Sequence, residues 1–187
     1  MLTHNDLKKG TRIIFGGEPY EVLESQPMKK AQRRVVIQAR IRNLISGNVL
    51  SQNFHQGDIF EEAEVSKMEV KFLYSNRGQY FFSEKENPAK RFSLESDQIG
   101  RQAQFLKQNQ IVEAIVFEKK VINVSLPIKI ELKVTEAPPG EKGSRAQSGT
   151  KNVTLETGAK INTPLFIEVG DIVEINTDTG DYVRRIG

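Results

Sequence analysis

The sequence contains no cysteine among its 187 residues. Disulfide bonds, thiolate nucleophiles and cysteine-based metal sites are therefore excluded, and a reducing compartment suits the chain. No apolar run approaches the roughly 20 residues that a membrane-spanning helix needs. The N-terminal stretch MLTHNDLKKGTR also lacks the apolar segment of a secretory signal. We therefore expect a cytoplasmic protein with no membrane partner.

Groups that catalyse reactions or bind metals are equally scarce. The two histidines, His4 and His55, have no partner at metal-ligand spacing, and His4 is expected near a frayed terminus. Asp178 and Asp181 flank Thr179-Gly180, a pattern more typical of a tight hairpin turn than of acid–base chemistry. GTKNVTLETG lacks the spacing of a phosphate-binding loop. We expect no enzyme, no catalytic residue, no metal and no cofactor.

The sequence does have a cluster of positive charge. Residues 25 to 57 hold six lysines and arginines and no acidic residue, although the net charge of the whole chain is only +3. Lys29, Lys30, Arg33 and Arg34 surround a predicted turn at Ala31-Gln32. Such a loop favours polyanions, and its phosphate contacts weaken with salt. The alternative is that these charges only keep an edge strand soluble.

The segment RRVVIQARIRNLI alternates with a period of two, which predicts a strand with one buried face. One face holds Val36, Gln38, Arg40 and Arg42, and the other holds Val35, Ile37, Ala39 and Ile41. Arg40 and Arg42 extend the cationic track as candidate contacts to an RNA backbone. The loop is expected to run from Gln26 to Val35 and to reach about 15 Å beyond its barrel.

Most of the remaining chain also reads as strands. Hairpins are predicted at Gly16-Gly17 and at residues 76–78. SDQIGRQAQFLKQN is the one helical stretch, with Ser96 as the N-cap and an apolar stripe. The stripe consists of Ile99, Ala103 and Leu106. These short strands and regular turns indicate an all-β protein built from small antiparallel barrels.

Two breaks divide the chain into three parts. GDIFEEAEVSK interrupts the strand pattern near residue 64, and Pro127 separates two strand runs. The predicted domains are therefore 1–64, 65–127 and 128–187. Each has roughly 60 residues, a size that is marginal for a domain on its own.

Two aromatic groups are candidates for base stacking. In QYFFSE, Phe81 should point away from Tyr80 and Phe82, and a core role is favoured over a stacking platform. In the last strand, Tyr182 could stack on a base and Arg185 could bind a phosphate. The pattern by itself leaves that role and an ordinary surface role equally open.

Three stretches resemble bacterial elongation factor P: GGEPYEVLES, PPGEKG at 138–143, and TLETGAKINTPLFIEVGDIVEINTDTGDYVRRI at the C-terminus. The resemblance runs from about residue 6 to the end. It implies a KOW/SH3-like barrel followed by two OB folds, in an L-shaped arrangement that mimics a tRNA. It also implies a factor that binds the ribosome, its rRNA and the P-site peptidyl-tRNA, and relieves stalls at consecutive prolines. We expect it to act as a monomer.

By the same resemblance, the loop after the third strand points at the CCA end of the P-site tRNA. In the family its tip is a lysine or arginine that often carries an added group. Counting from GEPY places the tip at Gln32, with Lys29 matching and with Lys30, Ala31 and Arg33 replacing Pro, Gly and Gly. A glutamine amide cannot receive a lysine-type extension, which predicts an unmodified tip. A shifted loop with Lys30 or Arg33 at its apex is the alternative.

A second departure lies in KGSRAQSGTKNV. Gly143-Ser144-Arg145 stand where the family commonly has Gly-Asp-Thr, and Asn152-Val153 stand where it has Pro-Ala, while Gly149 and Lys151 match. The resemblance places this loop near the E-site codon and the small subunit. Arg145 there adds a charge suited to phosphate. The two departures together indicate a divergent branch or a paralogue.

The C-terminal pattern of the family is matched by Gly180, Tyr182 and Arg185. Ribosome contacts of the C-terminal domain are therefore expected at Gly143, Ser144, Arg145, Lys151, Tyr182 and Arg185. Two other functions stay open from the sequence. One is a generic RNA-binding or ribosome-assembly protein built from barrels, and the other is a nuclease that uses Asp178 and Asp181.

Overall fold

The computed structural model describes residues 1–29, 35–139 and 149–186. These residues form strands with little helix, so the predicted all-β class is confirmed. Their contacts group into two compact units, Met1–Met68 with Asp97–Ile99 and Glu113–Val124, and Glu69–Ser96 with Gly100–Val112 and Ser125–Gly187. The predicted domain boundaries near 64 and 127 stay a prediction. No helix in the described ranges is long and apolar enough to cross a membrane.

The N-terminal sheet has four antiparallel strands. They are β2 (Arg12–Phe15), β3 (Glu18–Lys29), β4 (Val35–Asn43) and β5 (Val49–His55), in the order β2-β3-β4-β5. A separate pair joins β1 (Leu2–Thr3) to β6 (Ile59–Phe60). The predicted hairpin at Gly16-Gly17 is confirmed, with φ of +60° and +84°. Glycine adopts these left-handed conformations without strain, and they match the twist of the flanking strands.

Alternate residues of this sheet build the N-terminal core together with Leu7 and with Phe60 of β6. The core consists of Leu7, Ile13, Tyr20, Val22, Ile37, Ala39, Ile41, Phe54 and Phe60. The chain terminus is tied down beside it, because Asp6 accepts hydrogen bonds from the Thr3 N–H (2.8 Å) and hydroxyl (2.7 Å). These bonds lower the pKa of Asp6. His4 is buried in the adjoining 3₁₀ helix His4–Asp6, so the expectation of a frayed terminus was wrong.

The central sheet has five strands. They are β7 (Val65–Asn76), β8 (Gln79–Glu84), β9 (Arg91–Glu95), β10 (Ile111–Phe117) and β11 (Lys120–Ser125), in the order β11-β10-β7-β8-β9. The predicted turn at residues 76–78 is confirmed. Arg77 (φ +49°) and Gly78 (φ +80°) form a two-residue connection in the left-handed region.

The helical stretch after β9 is shorter than the sequence predicts. Helix α1 covers Ser96–Ile99, and a 3₁₀ helix covers Gly100–Phe105. Gly100 has a φ of +72°, which lies outside the range of both helix types, so it interrupts the helix there. The apolar stripe is nevertheless confirmed, because Ile99, Ala103 and Leu106 are all buried.

A β-bulge shapes the middle of the β7–β8 hairpin. Phe72 pairs with Phe82 and Tyr74 pairs with Phe81, which leaves Leu73 as the extra residue. Phe82 is fully buried, as the favoured core role requires. Tyr74 is 48% exposed and stacks on Phe81 with ring centroids 4.7 Å apart. The bulge therefore turns an aromatic pair outward.

The C-terminal sheet also has five strands. They are β12 (Lys129–Glu136), β13 (Thr150–Leu155), β14 (Lys160–Pro164), β15 (Ile172–Asn176) and β16 (Tyr182–Arg185), in the order β14-β13-β12-β15-β16. Val134, Leu155, Ile161, Val173 and Ile175 are buried in its core. The burial alternates along β12, which is the pattern of a sheet with one core face.

One carboxylate on this sheet is buried between two cations. Glu174 accepts two hydrogen bonds from Arg184, at 3.2 Å from Nε and 3.0 Å from Nη2, and its other oxygen lies 3.2 Å from Lys129 Nζ. Its side chain is only 8% exposed. The Arg184 hydrogen bonds lower the pKa of Glu174, against the effect of burial, and Lys129 adds to the lowering. The cluster joins β12, β15 and β16.

Replacing this carboxylate should destabilise the protein. Glu174→Gln leaves two cations without their charged partner, so we expect the unfolding midpoint to fall by several degrees. Glu131→Gln is the matched control, because Glu131 pairs with Glu174 in register but is exposed. A midpoint equally low in both variants would contradict the role of the cluster.

The cluster also predicts an acid dependence. Because the folded-state pKa of Glu174 lies below the ordinary 4.5, its contribution is complete above that pH and is lost as the pH falls through the folded-state value. Between about pH 5 and pH 3, the wild-type protein should therefore lose more stability than Glu174→Gln does. Thermal unfolding across this range measures the difference.

Candidate nucleic-acid interface

The cationic loop follows a long two-stranded ladder. Nine residue pairs join β3 to β4, from Tyr20–Asn43 to Lys29–Val35. Gln26 pairs with Gln38 in this ladder, so the expectation that the loop begins at Gln26 was wrong. β3 instead continues to Lys29, because its backbone keeps pairing with β4 as far as Val35.

The β3–β4 ladder extends only slightly past β5, the strand that pairs with β4 on its other side. β5 accompanies β4 as far as the pair Val36–His55, so the described part of the hairpin outruns β5 by one residue pair. The expected reach of about 15 Å is therefore not made by these strands. Any such reach would belong to Lys30, Ala31, Gln32, Arg33 and Arg34, which lie outside the described residues.

The alternation predicted for β4 is confirmed along most of its length. Ile37, Ala39 and Ile41 are buried, whereas Gln38 and Arg40 are exposed. Val36 is an exception, because it lies on the polar face and is nevertheless 4% exposed. Its register partner on β3 is Met28, which is half-buried. The polar face of β4 thus begins at Gln38 and not at Val36, where the sequence pattern predicts it.

Arg40 and Arg42 take part in ion pairs on this face. Arg40 Nη1 lies 2.6 Å from Glu24 Oε1, and both side chains are about half exposed. Arg42 Nη2 lies 3.9 Å from Glu21, which also pairs with Arg12 at 3.3 Å. Exposed pairs of this kind contribute little to stability. A phosphate could therefore replace the carboxylate partner at low cost.

The second candidate loop is the one that carries Arg145, and the structure describes the residues on both sides of it. Lys151 Nζ donates a hydrogen bond to the Pro138 carbonyl at 3.0 Å, which ties the two ends of the loop together. A side chain on Gly149 would meet Leu165 Cδ1 at 2.5 Å, so glycine allows this close approach. Gly143, Ser144 and Arg145 lie outside the described residues. Lys151 thus has a structural partner that sequence reasoning missed.

Arg185 has two partners near the end of the last strand. Its guanidinium lies 5.5 Å from the centre of the Phe166 ring and 3.6 Å from Asp171. Phe166 is 58% exposed, and such a cation–π pair is typical of surfaces that bind bases or phosphates. Tyr182 is half-buried and pairs with Ile175. Phe166 was missed because nothing local in TPLFIEV distinguishes an exposed ring from a core ring.

The carboxylate of Asp178, in the β15–β16 turn, is used within the structure. The Asn176 side chain accepts from the N–H groups of Asp178 and Thr179, and Asp178 accepts from Gln102 Nε2 at 2.7 Å. Gly180 has a φ of +81° and lies against Arg101 and Phe105. The predicted hairpin turn is confirmed. No cluster of three metal-binding side chains is found among residues 1–29, 35–139 and 149–186.

Comparisons of the sequence with known proteins identify the same family at both ends of the chain and over its full length. Residues 3–60 match the family model "Elongation factor P (EF-P) KOW-like domain", and residues 130–185 match "Elongation factor P, C-terminal". An "Elongation factor P" of Carboxydothermus hydrogenoformans is 38% identical over 186 residues, with 100% of both chains covered. One of Natranaerobius thermophilus is 36% identical, covering 100% of this chain and 98% of its own.

Among solved structures, the chain is similar to "Eukaryotic translation initiation factor 5A from Methanococcus jannaschii". The TM-score is 0.50 at 13% identity, over 66% of this chain and 92% of that one. This likeness concerns the fold alone. It agrees with a KOW-like N-terminal domain followed by OB folds.

The ion pair between Arg40 and Glu24 predicts opposite effects for substitutions of its two members. If Arg40 binds phosphate, Arg40→Gln should weaken binding to ribosomes roughly fivefold, since two unit charges about 4 Å apart in water interact by about 1 kcal/mol. Glu24→Gln should strengthen it, because the competing carboxylate is gone. Sedimentation binding at two salt concentrations measures both. Equal affinities of the two variants would remove Arg40 from the interface.

Proposed function

The chain belongs to the elongation factor P family, and from that premise we propose that it stimulates peptide-bond formation at consecutive prolines. It is a translation elongation factor. In the proposal it binds the ribosome and its rRNA in the cytoplasm, beside the P-site peptidyl-tRNA. There it positions the CCA end of that tRNA and supplies no catalytic group.

One observation carries the proposal: the nine-pair β3–β4 ladder that leads to residues 29–34. Ile37, Ala39 and Ile41 anchor β4 in the N-terminal core, so the end of the ladder has a firm base. The segment beyond it carries Lys29, Lys30, Arg33 and Arg34. A cationic segment on a packed barrel suits a contact to a tRNA end, whose backbone is negatively charged.

The proposed mechanism is positioning. The ring of proline fixes its φ and makes its nitrogen a constrained nucleophile, so productive geometry is rarely reached. A factor that holds the peptidyl-tRNA end lowers the entropic part of this barrier without donating or accepting a proton.

Gln32 is proposed to act without an added group. Its amide offers two donors and an acceptor but no charge, so the electrostatic attraction would come from the lysines and arginines beside it. The intact mass of the protein from its native host tests this. A mass above that of the unmodified chain, mapped to residues 29–34, would overturn it.

The C-terminal domain is proposed to contact the small subunit. Lys151 ties the ends of the loop that carries Arg145, and Arg185 presents a guanidinium beside the exposed ring of Phe166. Tyr182 lies three residues before Arg185 on the same strand. Together these residues would supply phosphate contacts and a stacking surface.

The cations of the loop provide the main test. Replacing Lys29, Lys30, Arg33 and Arg34 with glutamine should abolish most of the stimulation of a Pro-Pro-Pro message in a purified translation system. The reason is that the loss of several phosphate contacts lowers affinity steeply at physiological salt. Synthesis from a message without consecutive prolines should not change.

The double variant Lys8→Gln, Lys9→Gln is the control, because both lysines are exposed on the same barrel. It should keep full stimulation. If the loop variant stimulates as well as this control, the proposed role of residues 29–34 fails. Ribosome binding without any effect on proline runs would instead favour a generic RNA-binding protein.

A further inference from the structure

The central sheet borders a cavity that the proposed function does not use. Its volume is about 550 Å³, which lies in the range of sites for small organic groups. Phe72, Tyr74 and Tyr80 supply its aromatic wall. Tyr80 lies 5.8 Å from Phe72 and is half-buried, while Tyr74 is turned outward by the β7 bulge. The wall therefore offers accessible ring surface.

Three side-chain amides line the same cavity: Gln104, Gln108 and Asn109. None of them makes a side-chain hydrogen bond within the part of the chain that the structure describes. Their neighbours differ, because Gln102 bonds both Asp178 and the Leu126 N–H, and Gln110 accepts from the Lys107 N–H. The amides at the cavity thus keep free donors and acceptors, whereas those on either side serve the fold.

Asn109 connects this cavity to a second one. Its φ of +68° is left-handed, and its backbone N–H bonds the Phe72 carbonyl at 2.9 Å. Asn109 also lines a neighbouring cavity of about 360 Å³ on β7, β8 and β9. Asparagine tolerates this conformation, which here belongs to the turn closed by the hydrogen bond from the Gln110 N–H to the Lys107 carbonyl. Here it places one side chain at the junction of two cavities.

The second cavity carries positive charge. Lys71, Ser83 and Arg91 lie in one row across β7, β8 and β9. The row of Phe72, Phe82 and Phe92 separates it from the row of Tyr74 and Phe81, which lies on the same face as Ser83. Within the described ranges neither Lys71 nor Arg91 has an ion-pair partner. Nearby lysines are paired, since Lys85 bonds Glu69 at 2.6 Å and Lys90 lies 3.6 Å from Glu84. Two uncompensated cations therefore lie two rows from an aromatic pair, across the same three strands.

We propose that the two cavities form one site for a single-stranded segment of RNA. An unpaired base stacks on the exposed ring of Tyr74, and its edge meets the amides of Gln104 and Gln108. The adjoining phosphate lies on Lys71 and Arg91. Aromatic faces beside cations are the usual means of holding single strands, and amides read the exposed edges of bases. The site goes beyond the proposed function, because it requires neither residues 29–34 nor the peptidyl-tRNA.

The test uses the full-length protein with fluorescein-labelled hexauridylate and hexaadenylate. Fluorescence anisotropy should show binding that weakens about tenfold in Tyr74→Leu, within the range expected when one stacked base is lost. Tyr74→Phe keeps the ring and should bind like the wild type. Lys71→Gln and Arg91→Gln should each reduce the slope of log affinity against log salt by about 0.7. Lys160→Gln, an exposed lysine on β14, is the matched charge control and should change neither quantity.

Three results would overturn the site. The first is no hexamer binding by the wild-type protein, and the second is equal weakening by Lys160→Gln. The third is a lower unfolding midpoint in Tyr74→Leu with unchanged binding, since the Tyr74–Phe81 stack would then serve stability alone. If Tyr74→Leu does not fold, Arg91→Gln and Gln108→Ala at exposed positions decide the question.

The Pro-Pro-Pro translation assay separates this site from the proposed function. Hexamer binding that depends on Tyr74 and Arg91, together with full stimulation by the loop variant, supports the site while the proposed function fails. Stimulation that needs the loop, without hexamer binding, supports the proposed function and overturns the site.

Discussion

The structure depends first on the register between β3 and β4. Ile37, Ala39 and Ile41 point into the N-terminal core, while Gln38 and Arg40 point outward. A slip of one residue would bury Arg40 and expose Ile41, so burial specifies the pairing strongly. The same pairing brings Lys29 opposite Val35 and so determines where residues 30–34 leave the sheet. Packing inside the barrel thus controls the base of the segment proposed to act outside it.

Elsewhere, charged groups are held by partners that are distant in sequence. Glu174 joins Lys129 and Arg184 across three strands, and Lys107 pairs with Glu156 at 2.8 Å. Burial raises the pKa of Glu156, but the hydrogen bonds from Lys107 and from the Lys133 N–H outweigh it and leave that pKa lowered. The uncompensated cations Lys71 and Arg91 contrast with these pairs. A phosphate can reach a cation at low cost where the partner is exposed, as Glu24 is beside Arg40, or where no partner lies in the described residues.

Much of the fold could be predicted, because its signals are local. A period of two indicated the core face of β4, and Gly16-Gly17 and Gly78 marked hairpins through their left-handed backbones. The rest depends on contacts between distant segments. The bulge at Leu73 exposes Tyr74, and Arg185 meets Phe166; neither follows from a local pattern. The roles of residues 30–34 and 143–145 stay predictions, since these positions lie outside the described residues.

The absence of cysteine makes a direct positional measurement possible. Gln32→Cys would carry a single tethered iron chelate, and the hydroxyl radicals it generates cleave RNA near the label. On ribosomes with peptidyl-tRNA in the P site, we expect cleavage in the CCA end of that tRNA. A label at Lys119→Cys, in the β10–β11 turn, should leave the CCA end intact. No cleavage of the CCA end from position 32, or equal cleavage from positions 32 and 119, would contradict the positioning role of the loop.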